Sequence, residues 1–398
     1  MRNVLLRVAL VGAVILANPA CSQPGDRVPE RDFTEADVRF PEPFGMVTTV
    51  RELRDGRLLI GDPLGQALVA VDMAAGTADT IGRVGPGPGE YSQPDIVLPL
   101  PGDSSLFADL GNGRLVVMGP DLSFGETFPI AQGEPTGPGL GGMNIIIPRG
   151  TDSQGRVYFQ ALGMMMRPGG GLPDSGEVKR WDRSTGSVET VAQVKLEERR
   201  TETSGSAGNQ NVRLITVPLS PRDAWGVSWD GRVAAARSGG YYLEWADLEG
   251  GTVRGADVAY DPVAIGRAEQ EAYLDRSAAT GLSISADIGN GVRQMSFGRG
   301  GGGRGGDPDV NDYDWPDVMP AFVSNGVRVS PEGDAWVRRS VSAGSVTEYD
   351  VFGPDGELKE RVVLLRGREV VGFGQEYVYV AQRDEFDLIW LERYRRTT

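Results

Sequence analysis

The chain of 398 residues has no histidine, one cysteine and only three lysines, Lys179, Lys195 and Lys359. Without histidine there is no Ser-His-Asp triad, no Cys-His dyad and no imidazole ligand for zinc or iron. A lone cysteine, Cys21, rules out a disulfide framework. Acidic residues outnumber basic ones 55 to 40, for a net charge of −15. Nucleic acid is therefore not an expected partner, because binding phosphates needs a positive surface. Beyond the first twenty residues, no run approaches the ~18 continuous apolar residues of a transmembrane helix. What remains is an ordinary globular composition, 40% hydrophobic and 24% charged. Its cations are almost all arginine.

The first residues read as an address. Arg2 and Arg7 flank the start of an apolar run over 8–17, which meets Asn18-Pro19-Ala20-Cys21. A basic start, a short apolar stretch and a small residue before a cut form the secretory pattern. Ten apolar residues are too few to span a bilayer. With Cys21 directly after Ala20, the segment resembles a bacterial lipoprotein signal. That resemblance implies a signal peptide over 1–21 ending at a lipidated Cys21, and a polar tether over 22–34. The expected location is the cell envelope, at the outer membrane or periplasmic face, with a lipid anchor as the only membrane contact. Release as a free secreted protein is the alternative.

Past residue 33, short apolar runs alternate with turn signals. IGDPLGQALV at 60–69 aligns with FADLGNGRLV at 107–116, an offset of 47 residues. Each copy is a strand ending in Asp, a four-residue turn and a second strand. Extending the unit gives four strands, A to D, per copy. The A–B turns fall at Asp55-Gly56, Gly102-Asp103, Gln154-Gly155, Asp230-Gly231, Glu332-Gly333 and Gly374-Gln375. The sixth copy runs out of chain before its D strand, and residues 36–40 can supply it. Radial repetition protects strand edges that a lone sheet would expose. The predicted fold is all-β: a six-bladed β-propeller of four-stranded antiparallel blades over 35–396, closed by an N-terminal strand. One helical and Gly-rich insertion, 260–321, separates blades four and five. Seven blades is the alternative count; tandem sandwiches leave the offset unexplained. The stretch 55–91, DGRLLIGDPLGQALVAVDMAAGTADTIGRVGPGPGEY, resembles the six-bladed propeller lipoproteins related to NHL-repeat and TolB-like propellers. WPDVMPAF (315–322) and SPEGDAWV (330–337) resemble the fifth-blade region of that group. The resemblance implies fold and address, and no activity.

In such a blade the A–B and C–D turns share one face, while B–C and D–A connections share the other. All the long connections, 83–94, 131–143, 161–176, 195–223 and 260–321, belong to the second face. Insertions mark the binding face of repeat proteins. Within the largest, Ala264, Ile265, Ala268, Ala272 and Tyr273 recur at helical spacing, so a helix over 262–279 is expected across the ring mouth. FGRGGGGRGG, with Arg299 and Arg304, reads as a flexible linker. Asp307, Asp309 and Asn311 match the first three ligand positions of a calcium loop. Asp312 stands where the turn glycine belongs, and Val318 where the closing glutamate belongs. Those three are the only metal candidates, and no cofactor is expected. RVGPGPGEY (83–91) lacks the lysine and following helix of a phosphate loop and reads as a rigid crossover, with Tyr91 packing between blades. Met164, Met165 and Met166 are expected to cover blade edges.

The B strands end near Asp62, Asp109, Ala161, Arg237, Arg339 and Gln382. Equivalent blades would bring these ends towards one another at the channel rim. Asp62, Asp109, Arg237, Arg339 and Gln382 are therefore the candidate ligand-binding residues, for a small ionic or hydroxylated ligand. For the two aspartates, side-chain turns to backbone amides are the alternative. No catalytic residue is assigned. The expected function is non-catalytic binding of a partner protein, a glycan or a small polar ligand by a monomer. The alternative is a propeller hydrolase, lactonase-like with a channel calcium or glycosidase-like with two carboxylates.

If Cys21 carries lipid, the wild-type protein fractionates with membranes, and Cys21→Ala appears in the soluble fraction or as an uncleaved precursor. Identical fractionation of the two proteins would remove the anchor.

Overall fold

The computed structural model describes residues 28–134, 142–161, 173–206, 209–247, 249–288, 292–299 and 309–396. Cys21, Met164 to Met166, Arg304 and Asp307 lie outside them. Six antiparallel sheets are arranged as a propeller. In order A to D, blade one is Val50–Glu52, Leu58–Asp62, Ala67–Asp72 and Thr77–Thr80. Blade two is Pro94–Pro99, Ser105–Asp109, Arg114–Met118 and Phe124–Pro129. Blade three is Pro148–Thr151, Val157–Gln160, Ser175–Trp181 and Val188–Lys195. Blade four is Ala224–Val227, Val233–Arg237, Tyr242–Ala246 and Thr252–Arg254. Blade five is Phe322–Val329, Ala335–Arg339, Thr347–Phe352 and Leu358–Leu364. Blade six has Arg368–Phe373, Tyr377–Arg383 and Ile389–Arg395 from the C-terminal end of the chain. Its fourth strand is Val38–Arg39, antiparallel to Ile389–Arg395. The N-terminal closure expected from the missing strand is present.

Strand periodicity explains the near-continuous apolar runs. Successive side chains of a strand point to opposite faces, and in a ring both faces are covered. Leu58 and Ile60 pack towards blade six, whereas Leu59 between them packs towards blade two. In blade four, Ala234 and Ala236 face blade five, while Val233 and Ala235 face blade three. Each of the six seams thus has its own hydrophobic cluster. Tyr91 fills the seam between blades one and two, as its crossover predicts. The crossover is rigid for a specific reason. Glu90 accepts from the Gly87 amide at 2.8 Å, and Arg114 donates to the carbonyls of Pro86, Gly87 and Glu90.

Buried hydroxyls add polar links across the seams. Tyr158 of blade three donates to the Gly231 carbonyl at 3.0 Å, and Tyr241 of blade four to Asp350 at 2.8 Å. Tyr349 of blade five accepts from the Val370 amide at 2.9 Å, and Tyr379 of blade six donates to Glu52 of blade one. Burial raises these phenols above their ordinary range, Tyr349 to about 12, so they remain protonated. The A–B turns carry glycines with positive φ, such as Gly56 at 86° and Gly231 at 91°, a conformation that side chains disfavour.

Two features differ from the sequence expectation. Glu30–Phe33, in the stretch read as tether, forms a fifth strand of blade five, parallel to Leu358–Leu364. Phe33 anchors it by stacking on Tyr394 at 5.3 Å. The insertion also holds more than a helix: Leu282–Ile288 and Val292–Arg299 form an antiparallel hairpin.

Phe40, buried in the seam that closes the ring, has almost no exposed surface. Phe40→Ala should cost about 3–5 kcal/mol in urea unfolding, the range for truncating a packed phenylalanine. Phe386→Ala, at a side chain 74% exposed, should leave the unfolding midpoint in place. Equal midpoints for both variants would show that this seam does not hold the ring.

Candidate functional site

The large insertion lies against the ring at two places. Its helix α1, Arg267–Thr280, starts at Gly266, whose amide donates to Glu269 at 3.0 Å. The other oxygen of Glu269 accepts from the Ala343 amide, in the B–C connection of blade five, at 3.1 Å. The hairpin that follows reaches blades two and three, where Phe297, Leu282, Ile284 and Met295 join their seam. At its last residue, Arg299 donates to the fully buried Asp95 at 2.7 Å. The stretch expected as a linker is thus an ion-paired strand as far as Arg299.

The five candidate ligand residues do not assemble into one open site. Asp62 accepts from the amides of Gly45, Met46 and Gly65 at 2.7, 3.0 and 2.8 Å. Asp109 accepts from the amides of Ser92 and Gln93, and from Asn112 and Arg114. Arg237 is paired with Asp223 at 3.0 Å and with Glu244 of its own C strand, and donates to the Gln193 carbonyl of blade three at 2.7 Å. These partners hold it above its ordinary pKa against the opposing effect of burial. Arg339 lies 3.4 Å from Glu348 and 3.8 Å from Asp350, both on the C strand of blade five. Both guanidiniums are therefore ion-paired with carboxylates of their own blades, Arg237 with Asp223 beside the A strand and Glu244 on the C strand. Gln382 has a buried Oε1 with no hydrogen-bond partner among the described residues. Of the calcium candidates, Asp309 accepts from the Asn311 amide at 2.8 Å and from its side chain at 2.7 Å. Among the described residues no group of three or more acidic or cysteine side chains is placed to hold a metal.

What does assemble is a basic belt at the insertion-side mouth of the channel. Arg149, on the A strand of blade three, donates to Asn325 Oδ1 at 2.9 Å and the Trp225 carbonyl at 3.2 Å. Its guanidinium stacks on the Trp225 ring, 4.8 Å from the centroid. It has no carboxylate partner among the described residues, and its charged form is disfavoured. Burial, reinforced by Arg222 and Arg328, pulls its pKa down to about 9. Arg328, on the A strand of blade five, donates to two neutral acceptors, the carbonyls of Val370 at 2.9 Å and Thr48 at 3.0 Å, and lies near enough to Glu369 to favour its ionised form. Two further guanidiniums are neutralised: Arg222 by Glu197 and Arg338 by Glu369, each at 2.6 Å. Burial opposes ionisation of Glu369, but Arg338, Arg328 and Arg276 together hold its carboxyl below the ordinary range. Arg276 of α1 is shifted down by burial and by Arg338. These groups are walled by protein yet reached by water: Glu369 keeps 44% of its side-chain surface.

Beside the belt, between α1 and blades five and six, is a cavity of about 190 Å³. Tyr273 and Arg276 line it from the helix; Arg338, Ser342, Ser345 and Arg366 line it from the blades. Sequence reasoning missed this belt because it looked to the ends of the B strands. The available signal was a charged residue inside an innermost strand, Arg149 after Ile145-Ile146-Ile147-Pro148 and Arg328 between Val327 and Val329.

No family model and no curated protein matches the chain. Among solved structures it is similar to a gluconolactonase from Xanthomonas campestris, at 12% identity over 90% of this chain and 91% of that one, TM-score 0.40. A virginiamycin B lyase from Staphylococcus aureus aligns at 10% identity over 88% and 81%, TM-score 0.38. Regucalcin from Agrobacterium tumefaciens, a calcium-binding protein, aligns at 10% over 92% and 97%, TM-score 0.39. At these values the likeness carries no argument about activity.

The two kinds of arginine should separate by stability. Arg237→Met strands Asp223 and Glu244 and should lower the melting temperature, as breaking an enclosed ion pair costs about 3–5 kcal/mol. Arg149→Met removes a charge without a counterion and should leave the unliganded protein equally or more stable. Calorimetric melts check both, and a destabilised Arg149→Met would mean that the charge is already compensated.

Proposed function

We propose that this protein is a lipid-anchored propeller of the cell envelope that binds a small anionic ligand at the channel mouth on its insertion face. One observation carries the reading: Arg149 is a guanidinium without a carboxylate partner among the described residues, in a −15 chain, with a depressed pKa. Such a charge is costly in the free protein, and an anion beside it recovers the cost. Arg328, two blades away, also hydrogen-bonds to backbone carbonyls, with Glu369 close enough to feel its charge. Guanidiniums recognise carboxylate and phosphate through paired hydrogen bonds, so ligands bearing those groups fit best. A partner protein or glycan presenting an acidic group would use the same chemistry. A calcium-centred hydrolase needs oxygen ligands converging on the channel, where this mouth presents guanidiniums that repel a cation.

The anchor suits this reading. Glu30–Phe33 runs parallel to Leu358–Leu364, which leaves the tight Asp355-Gly356 turn, and the Arg361 amide donates to the Pro29 carbonyl at 2.7 Å. The chain thus enters blade five from the tight-turn side. Eight residues from Ser22 to Pro29 reach at most about 29 Å fully extended. A lipid on Cys21 would hold that side to the membrane and leave the insertion face outward.

Titration of the protein with inorganic phosphate and with galacturonate tests the site. Binding should weaken as salt rises, and Arg149→Met should weaken it by about thirtyfold or more, for a lost contact of about 2–5 kcal/mol. Unchanged affinity in Arg149→Met, or no binding of either anion, would overturn the assignment.

A further inference from the structure

We propose that Asn325 is a specificity-determining residue of the Arg149 site, and that the pair selects carboxylates bearing an oxygen on the adjoining carbon, as in 2-oxo and 2-hydroxy acids. This rests on the anion-binding reading above and specifies its ligand. Both side chains come from irregular stretches of innermost strands. On blade three, Pro148 faces Phe159 and Gly150 faces Tyr158, so Arg149 is an extra residue with no opposite number. On blade five the register breaks between Phe322, opposite Arg339, and Val327, opposite Val337, and Asn325 lies in between. Bulges of this kind re-aim the side chains they carry. Here the two side chains meet beside Trp225 of blade four. Arg149 Nη1 donates to Asn325 Oδ1 at 2.9 Å, and Nη2 to the Trp225 carbonyl at 3.2 Å. The ring against which Arg149 lies is itself held, because Trp225 Nε1 donates to Gln160 Oε1 at 3.0 Å. Gly150 lets blade four close up, since a Cβ there would stand 2.9 Å from Val227 Cβ.

The chemistry this pair offers is one-sided. A guanidinium can only donate, so it fixes the Asn325 amide with its oxygen towards Arg149 and its Nδ2 turned away. The acceptors of the cluster, Asn325 Oδ1, the Trp225 carbonyl and Gln160 Oε1, are already engaged. What remains is donors. Arg149 Nε has no partner among the described residues and is not sealed from solvent. Asn325 Nδ2 also has no partner among them, and the residue is exposed. Because Nδ2 shares a carbon with Oδ1, a carboxylate on the guanidinium has this further donor beside it. An oxygen on the carbon next to the carboxylate is placed to accept from Nδ2. A methylene in that position displaces water from the amide without replacing its hydrogen bond. A neutral amide adds a donor without adding charge, so it discriminates among anions rather than favouring all of them.

The test is ligand-observed NMR titration of the full chain with pyruvate, lactate, propionate and inorganic phosphate at one ionic strength. Pyruvate and lactate should each bind about fivefold to tenfold tighter than propionate, the worth of one neutral hydrogen bond. Asn325→Ala should bring both down to the propionate level and leave propionate where it was. Arg149→Met should weaken all three carboxylates together. Asn325 is exposed, so its replacement spares the fold, and a melt checks both variants. Equal affinity for the three carboxylates overturns the selection and leaves the anion reading standing. A preference for pyruvate that survives in Asn325→Ala overturns the role of Asn325. A parallel fall of all three carboxylates in that variant would show that Asn325 only holds Arg149, and overturns the role equally. Phosphate binding tighter than pyruvate and lost in Asn325→Ala overturns the carboxylate class, whereas silence with all four compounds overturns anion binding itself.

Discussion

The structure depends on one constraint: each blade has two apolar faces, and only a neighbouring blade can cover them. A linear stack of such sheets always leaves two faces wet. Closing the stack into a ring removes both, so the seam between the last blade and the first decides whether the other five exist. Here that seam is built from distant parts of the chain. Val38–Arg39 completes blade six, and Phe40, Phe44 and Val47 pack with Val371, Tyr379 and Leu391. The Tyr379–Glu52 hydrogen bond crosses the same seam. A long-range closure of this kind carries a loop-closure cost that local turns do not. Its large apolar cluster offsets that cost.

Dry seams also dictate where charge can go. Inside them, paired polar groups such as Tyr241–Asp350 or Arg237 with Asp223 and Glu244 occur beside a few with no partner among the described residues, such as Trp181 Nε1. The innermost strands differ: Arg149 and Arg328 hydrogen-bond there to neutral oxygens, and burial disfavours the charge of Arg149. The contrast is between Arg237, paired with two carboxylates, and Arg149, which has no carboxylate partner among the described residues. Both residues are arginines near a strand end, and only their surroundings distinguish them.

This also explains what could be read from the sequence. Turn glycines such as Gly56 and Gly231, and two-sided apolar runs such as Leu58-Leu59-Ile60, are local signals, so blade number and closure were legible. The Glu30–Phe33 strand was not, because its residues are mostly polar and it is held by an edge of blade five rather than by its own pattern. The hairpin after α1 was hidden for a similar reason: Arg299 sits in a glycine-rich context, and its partner Asp95 is two hundred residues away. For the site, equivalence of B-strand ends was sound geometry, since Asp62 and Asp109 do share a role. That role is to accept backbone amides. Which residues of an A strand face the channel depends on blade tilt and bulges, such as the irregularity between Phe322 and Val327, and no pattern in one sequence reports those.

The insertion joins the two halves of the problem. It has one foot on blade five, through Glu269 and the Ala343 amide, and another on blade two, through Arg299 and Asp95. Feet on opposite arcs of a closed ring fix the span between them, because the ring itself cannot flex much without opening a seam. The span then holds Tyr273 and Arg276 over the cavity wall formed by Arg338 and Ser342. A loop anchored at one end alone would leave those two side chains free to swing away, and the surplus positive charge would favour that by self-repulsion. The buried Arg299–Asp95 pair opposes it from the far side of the channel. The insertion is therefore positioned by the same closed ring that makes the fold stable.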